Sequence, residues 1–206
     1  MENVSLSLKD MKIITAQMEK SVCKIILENK SGTGFFCSIP LGGSQKVLAL
    51  ITASHVFDGK SNQLRFSINN DQGLYCLSMD GRKFYVDKSL DVTIIEIKPN
   101  DGLKEDSFLV FDFNMNLEQG NPIYLLSYEQ ASEVKSSAGR ILKIMNSESE
   151  IMYDCHSSNG SAGGPLINLS NHFVIGLHKQ RDPKRNVKFG SLLKEPFEKF
   201  KQIYNS

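Results

Sequence analysis

The chain has almost no net charge: among its 206 residues, 24 Lys and Arg against 23 Asp and Glu leave +1 at neutral pH. That balance removes any global pull toward nucleic acid or an anionic membrane surface. There is no uninterrupted apolar run of signal-peptide or membrane-spanning length, and charged residues from Lys9 to Glu28 break up the first thirty positions. The chain therefore reads as a soluble, unexported, cytoplasmic protein without a membrane partner. Cysteine is scarce as well. Cys23, Cys37, Cys76 and Cys155 are far apart and form no C-x-x-C pair, so buried free thiols in a reducing compartment are expected rather than a disulfide frame or zinc site. No set of His, Cys, Asp and Glu has ligand spacing, so no metal or cofactor is implied.

What is present is short, alternating and β-branched. A length of 206 residues suits one α/β domain or a pair of small β-barrels sharing a cleft. Residues 1–20 read as an arm with a short amphipathic helix from about Lys9, and Ser21 to Leu27 and Gly34 to Ile39 as a hairpin across a turn at residues 28–32. Val47 to Ala53 is a continuous apolar run of buried-strand length, with His55 just past its end. Leu64 to Ile68, Leu74 to Met79, Lys83 to Val86 and Asp91 to Ile97 complete a first half of strands, with a turn at 69–73. Six further runs, from Phe108 to His178, repeat the pattern at the spacing of an all-β barrel or sandwich. Leu193, Phe197, Phe200 and Ile203 then share one helical face. The expected division is an arm and helix over 1–20, one β unit over 21–100, a second over 101–195 and a closing helix over 196–206.

The chemistry-bearing stretch is Asn159-Gly160-Ser161-Ala162-Gly163-Gly164-Pro165-Leu166. Small residues let the backbone approach a ligand and turn its amides inward, the form of an anion hole. Thr52-Ala53-Ser54-His55 places a histidine after a buried strand, and Asp91 opens another. In this order the three segments resemble those of the chymotrypsin-like (trypsin-fold) serine peptidases, and Gly32-Thr33-Gly34-Phe35-Phe36 and Val174-Ile175-Gly176-Leu177-His178 resemble elements of the Do-like and glutamyl-endopeptidase branches. The resemblance spans roughly residues 21 to 195. It implies an all-β fold of two six-stranded antiparallel barrels, with His55 as base, Asp91 as its orienting carboxylate (Asp87 being the nearest competitor), and the backbone N–H groups of Gly160 and Ala162 as oxyanion donors. Such donors are worth roughly 3 to 4 kcal/mol each.

The family's nucleophilic serine falls at Ala162. Alanine has no hydroxyl, so the chain as written cannot form an acyl-enzyme there. Ser161 lies one residue early, and on so tight a turn its side chain is expected to aim elsewhere. The reading is a serine endopeptidase acting on polypeptides whose nucleophile has been replaced by alanine; the alternative is a natural pseudoprotease that binds peptides. The resemblance also places His178 on the wall of the pocket for the residue before the scissile bond, implying cleavage after Glu or Gln, with His156 and Ser157 as further donors. Asp154 lies two positions too early to mark a pocket for Lys or Arg. A Gly usually follows the pocket histidine, but the charged run from Lys179 to Arg185 stands here, Val56 removes the family's disulfide partner for Cys37, and no Ile-Val-Gly-Gly activation site exists. The resemblance then implies a member active without that cleavage or controlled by a protein partner. A nucleic-acid interface through Lys179, Arg181, Lys184, Arg185 and Lys188 is the weakest reading, since the run lacks interleaved aromatics and suits a solvated hairpin tip.

Overall fold

The computed structural model describes residues 4–28, 31–70, 73–129, 133–145 and 148–205. The turns read at 28–32 and 69–73 include residues 29–30 and 71–72, which lie outside the described residues. Helix α1 (Leu8–Lys20) begins at a reciprocal cap: the Ser7 hydroxyl accepts from the Asp10 amide (3.2 Å) and the Asp10 carboxylate from the Ser7 amide (2.8 Å). Among the described residues no helix is long and apolar enough to cross a membrane.

The first β unit contains β1 (Val22–Ile26), β2 (Ser31–Gly42), β3 (Gln45–Thr52), β4 (Gln63–Ile68), β5 (Gly73–Ser78), β6 (Phe84–Asp87), β7 (Val92–Ile97) and the two-residue β8 (Leu109–Val110). Seven of these follow the order β5-β4-β1-β2-β3-β7-β6, and β8 pairs in parallel with β2. The second unit contains β9 (Pro122–Tyr128), β10 (Val134–Met145), β11 (Glu150–Tyr153), β12 (Pro165–Asn168), β13 (Val174–Asp182) and β14 (Val187–Leu192). These close into a six-stranded barrel in the order β10-β11-β14-β13-β12-β9. Helix α2 (Lys194–Asn205) ends the chain and buries Phe197 and Phe200.

The expectation of two closed barrels therefore holds for the C-terminal half and needs correction for the N-terminal half. Among the described residues β5 and β6 are edges, with no ladder between them. Arg82, in the link joining them, bonds the flanks of this opening. Its Nε donates to the Ser78 carbonyl of β5 (2.9 Å), its Nη1 to the Glu96 carbonyl of β7 (2.7 Å), and both Nη atoms to the Asp101 carboxylate (2.7 and 2.9 Å). A guanidinium thus ties β5 to β7 and to Asp101 beside the unpaired edges.

Alternation divides the core. On β9, Ile123 and Leu125 face the barrel interior with Tyr153, Leu166 and Ile175, whereas Tyr124 and Leu126 face outward and join the core built on the first sheet and α2. The two β units are packed by the outer face of one barrel wall. Cys23, Cys37 and Cys155 are buried free thiols, raised in pKa by burial, while Cys76 is free but exposed, which corrects the expectation for that residue.

Candidate active site

The site forms where β3 of the first unit meets the glycine turn of the second. His55 follows β3 in a turn whose Val56 and Phe57 amides both donate to the Ala53 carbonyl (3.0 and 3.1 Å). Asp91 sits just before β7 with φ +58°, a left-handed conformation that Asp tolerates better than most residues. The His55 Nδ1 lies 2.6 Å from Asp91 Oδ2, and Asp91 Oδ1 accepts from the His55 amide and the Ser54 hydroxyl, each at 2.9 Å. Burial opposes the charged form of Asp91. These donors outweigh it and hold its pKa below the usual carboxylate range. The carboxylate is nearly buried whereas the imidazole is 53% exposed, so the ring is oriented from behind and open in front. Ser54 was not singled out in the sequence; its place beside His55 is the only signal it offers.

Asp87, the competitor, is engaged elsewhere. It caps the turn leading to Asp91, accepting from the Ser89 hydroxyl (2.6 Å), the Leu90 amide (3.0 Å) and the Tyr85 hydroxyl (2.8 Å). Against the opposing effect of burial, these bonds bring its pKa down to about 2.

The glycine turn is tied to the first unit by Thr33, across 127 residues of sequence. Its hydroxyl donates to the Gly160 carbonyl (2.7 Å) and accepts from the Tyr128 amide (3.0 Å), and its own amide donates to the Ala162 carbonyl (2.8 Å). The Gly32-Thr33-Gly34 motif contained this residue without revealing its role. Gly163 has φ +87°, and a Cβ there would lie 2.1 Å from the Thr33 carbonyl oxygen, so only glycine fits. The amides of Ser161, Gly163 and Gly164 donate within the protein. Among the described residues the amides of Gly160 and Ala162 donate to no protein acceptor, the condition an oxyanion site requires.

Ser161 is fully buried, its oxygen accepting from the Ser127 hydroxyl (3.1 Å) and the Ser158 amide (3.0 Å). That hydroxyl faces the second unit's interior and cannot stand in for a nucleophile. His55, Ala162, Gly160, His178 and Arg181 all line one cavity of about 350 Å³. A larger one of about 760 Å³, reaching to Leu27 and Arg65, also begins at His55.

His178 is 3% exposed, and its Nδ1 lies 2.5 Å from the Tyr153 hydroxyl. Burial raises the Tyr153 pKa well above its usual value, so the phenol keeps its proton and donates it to Nδ1. The imidazole proton then sits on Nε2. Burial, with the nearby charges of Lys188, His55 and Arg181, brings the His178 pKa down from 6.5 to about 3. The unfolded chain therefore binds a proton here that the folded chain refuses between those values. Stability is full above pH 6.5 and falls as the pH drops toward 3, by about 2 kcal/mol at pH 5. Thermal unfolding followed from pH 8 to 5 should show this slope, and His178→Gln should flatten it. The carboxylates of Asp87 and Asp91, held below the ordinary value of 3.8, lose their contribution only at more acid pH than the 8 to 5 range measured.

The extended stretch 154–158 corrects one expectation. Cys155 and Ser157 are buried, so His156 between them must face outward. Its amide accepts no role in the pocket, donating to Ser137 Oγ (2.6 Å), while its ring, 72% exposed, lies 3.8 Å from Glu129. Ser157 is buried, at 3% exposed. The charged run is the hairpin of β13 and β14: Lys184 and Arg185 occupy its exposed turn, Lys179 pairs with Glu150 (2.8 Å), and Arg181 reaches Asn159 (3.2 Å).

A sequence profile described as a trypsin-like peptidase domain matches residues 32–177. The chain belongs to the trypsin-like peptidase domain family. The trypsin-like peptidase match covers both strand ends that carry His55 and Asp91, the glycine turn, and β13 up to Leu177. A comparison with curated proteins finds no match. Among solved structures, the chain is similar to Rv3671c from M. tuberculosis H37Rv in a serine-to-alanine mutant, inactive form, with 22% identity, TM-score 0.71, and coverage of 100% of this chain and 97% of that one. Rv3671c protease in its inactive form gives 21% identity, TM-score 0.71 and 98% and 99% coverage. The serine endoprotease from Yersinia pestis gives 14% identity, TM-score 0.72, and 97% of this chain against 68% of that one. At these identities the likeness establishes a shared trypsin-like fold.

Proposed function

We propose that this chain is a serine endopeptidase held inactive by alanine at the nucleophile position, cleaving polypeptides after Glu or Gln. The carrying observation is the 2.6 Å His55–Asp91 contact opening on a cavity that Ala162 also lines, with two undonated amides beside it. With a hydroxyl at 162, His55 Nε2 takes its proton as the oxygen attacks the scissile carbonyl, and Asp91 stabilises the imidazolium. The amides of Gly160 and Ala162 receive the oxyanion, and His55 returns the proton to the leaving amine. His178 supports the Glu/Gln preference: its single N–H, on Nε2, suits the side-chain oxygen of either residue.

Ala162→Ser tests the reading. A fluorescent phosphonate directed at activated serines should label the variant stoichiometrically and leave the Ala162 chain unlabelled. The competing reading, a peptide-binding pseudoprotease, is favoured by Ala162 itself, and it prevails if the serine variant takes no label while both forms bind peptide.

A further inference from the structure

The turn that delivers Asp91 is held by the other half of the molecule. Residues 88–91 link β6 to β7, and Asp91 at their end has φ +58°. A residue in this backbone region keeps its place only where its surroundings fix it. Three successive carbonyls of the turn are engaged. The Ser89 oxygen accepts from Lys179 Nζ (3.0 Å), the Leu90 oxygen from the Ser191 hydroxyl, and the Asp91 oxygen from the Ser54 amide (3.2 Å). The first two donors belong to the second unit, on β13 and β14, and lie 90 and 101 residues along the chain from their acceptors.

Both donors are fixed by the barrel. Ser191 is fully buried and stands opposite Glu150 on β11 and Leu177 on β13. Lys179 sits where the β13–β14 register shifts, between His178 and Gln180, an irregularity of the kind that re-aims a side chain. Its Nζ also pairs with Glu150 (2.8 Å), and the two side chains are 19% and 16% exposed. Glu150 thus compensates the ammonium charge and orients it, while Nζ donates a second hydrogen bond to a backbone carbonyl. Lys179 also lines the cavity shared by His55, Gly160 and Ala162. The mechanism above uses neither Lys179 nor Ser191.

We propose that Lys179 is a positioning residue which, with Ser191, clasps the Asp91 turn to the second unit and so sets the carboxylate behind His55. The inference rests on the peptidase reading above and adds a part to it. Catalysis of that kind needs Asp91 and His55, from the first unit, held in register with the glycine turn of the second. A misplacement of about 1 Å at such a site costs about a hundredfold in rate. Thr33 ties the glycine turn to the first unit. Lys179 and Ser191 tie the carboxylate's turn to the second. Asp87 shapes that same turn from within the first unit, whereas the clasp determines where the turn lies.

Two measurements test the clasp. In the Ala162 chain with ¹⁵N-labelled histidine, NMR at pH 8 reports which nitrogen of each imidazole carries the proton, and the four histidines are few enough to assign by substitution. His55 should carry it on Nδ1, facing Asp91. Lys179→Met should move part of the population to Nε2, Lys179→Arg should restore Nδ1, and Lys184→Met at the exposed turn should change nothing. In the Ala162→Ser chain, Lys179→Met should lower kcat about tenfold to a hundredfold with KM little changed. Ser191→Ala, which keeps the lysine, should act in the same direction. Added to Asp91→Asn, Lys179→Met should cost little more, because a residue that acts through the carboxylate then has nothing left to position. A His55 tautomer that ignores Lys179→Met, or losses that multiply in the double variant, overturns the clasp and leaves the peptidase reading standing. An Ala162→Ser chain without peptidase activity overturns that reading instead, while the tautomer still decides whether the clasp holds Asp91.

Discussion

In the chain carrying Ala162→Ser, Asp91→Asn is expected to lower kcat about 10⁴-fold with little change in KM. The argument is one of tautomers. Asp91 Oδ2 accepts the Nδ1 proton of His55, which leaves Nε2 as the acceptor facing the cavity. An asparagine amide at this place donates instead, drives the imidazole proton to Nε2, and removes the base. Geometry is kept, because the Oδ1 position can still receive the His55 amide and the Ser54 hydroxyl. Substrate contacts, made by other residues, should be unaffected. Asp87→Asn is the matched control: Asp87 caps the turn before Asp91, so kcat should change only severalfold. Steady-state kinetics on a Glu-containing peptide separates the two. If Asp87→Asn costs as much as Asp91→Asn, the assignment of Asp91 as orienter is wrong.

The contrast between these two aspartates shows what the sequence can express. Both stand within a few residues of an apolar strand, and only the fold decides that one carboxylate turns to His55 and the other to its own turn. The strand and glycine signals are local: β-branched runs, the small residues of 159–164 and the histidine at a strand end are visible without three dimensions. Contacts between distant segments are not. Thr33 bonds Gly160, and nothing in either neighbourhood announces the other. The strand β14 is hidden in the sequence for a different reason. Its inward positions hold Lys188 and Gly190, so the apolar alternation that marks a half-buried strand is broken. The same charged side chains made β13 and β14 resemble a solvated tip, although only their turn is one. Barrel closure is not legible either: strand count can be read in sequence, whereas Arg82 at the open seam is one arginine among surface charges until its partners are known.

That seam carries the largest expected effect on stability. Arg82→Met should destabilise the protein by about 3 to 5 kcal/mol, since removing one partner of a buried ion pair leaves the other charge without compensation. The side chains of Arg82 and Asp101 are 5% and 11% exposed. Without the guanidinium, the Ser78 carbonyl on the edge strand β5 and the Glu96 carbonyl on β7 lose their donor as well. Asp101 would keep the Lys98 amide, at 2.6 Å, which softens the loss without replacing the charge. For a chain of this length the change corresponds to a fall in Tm of about 6 to 20 °C. Pairing Arg82→Met with Asp101→Leu should recover part of it, because the uncompensated carboxylate is then gone and the two carbonyls and the Lys98 amide are the groups left unmet. Urea and thermal unfolding of the single and double variants measure this directly. A loss below about 1 kcal/mol in the single variant would place Arg82 among ordinary surface ion pairs, and the open edge between β5 and β6 would then need another support.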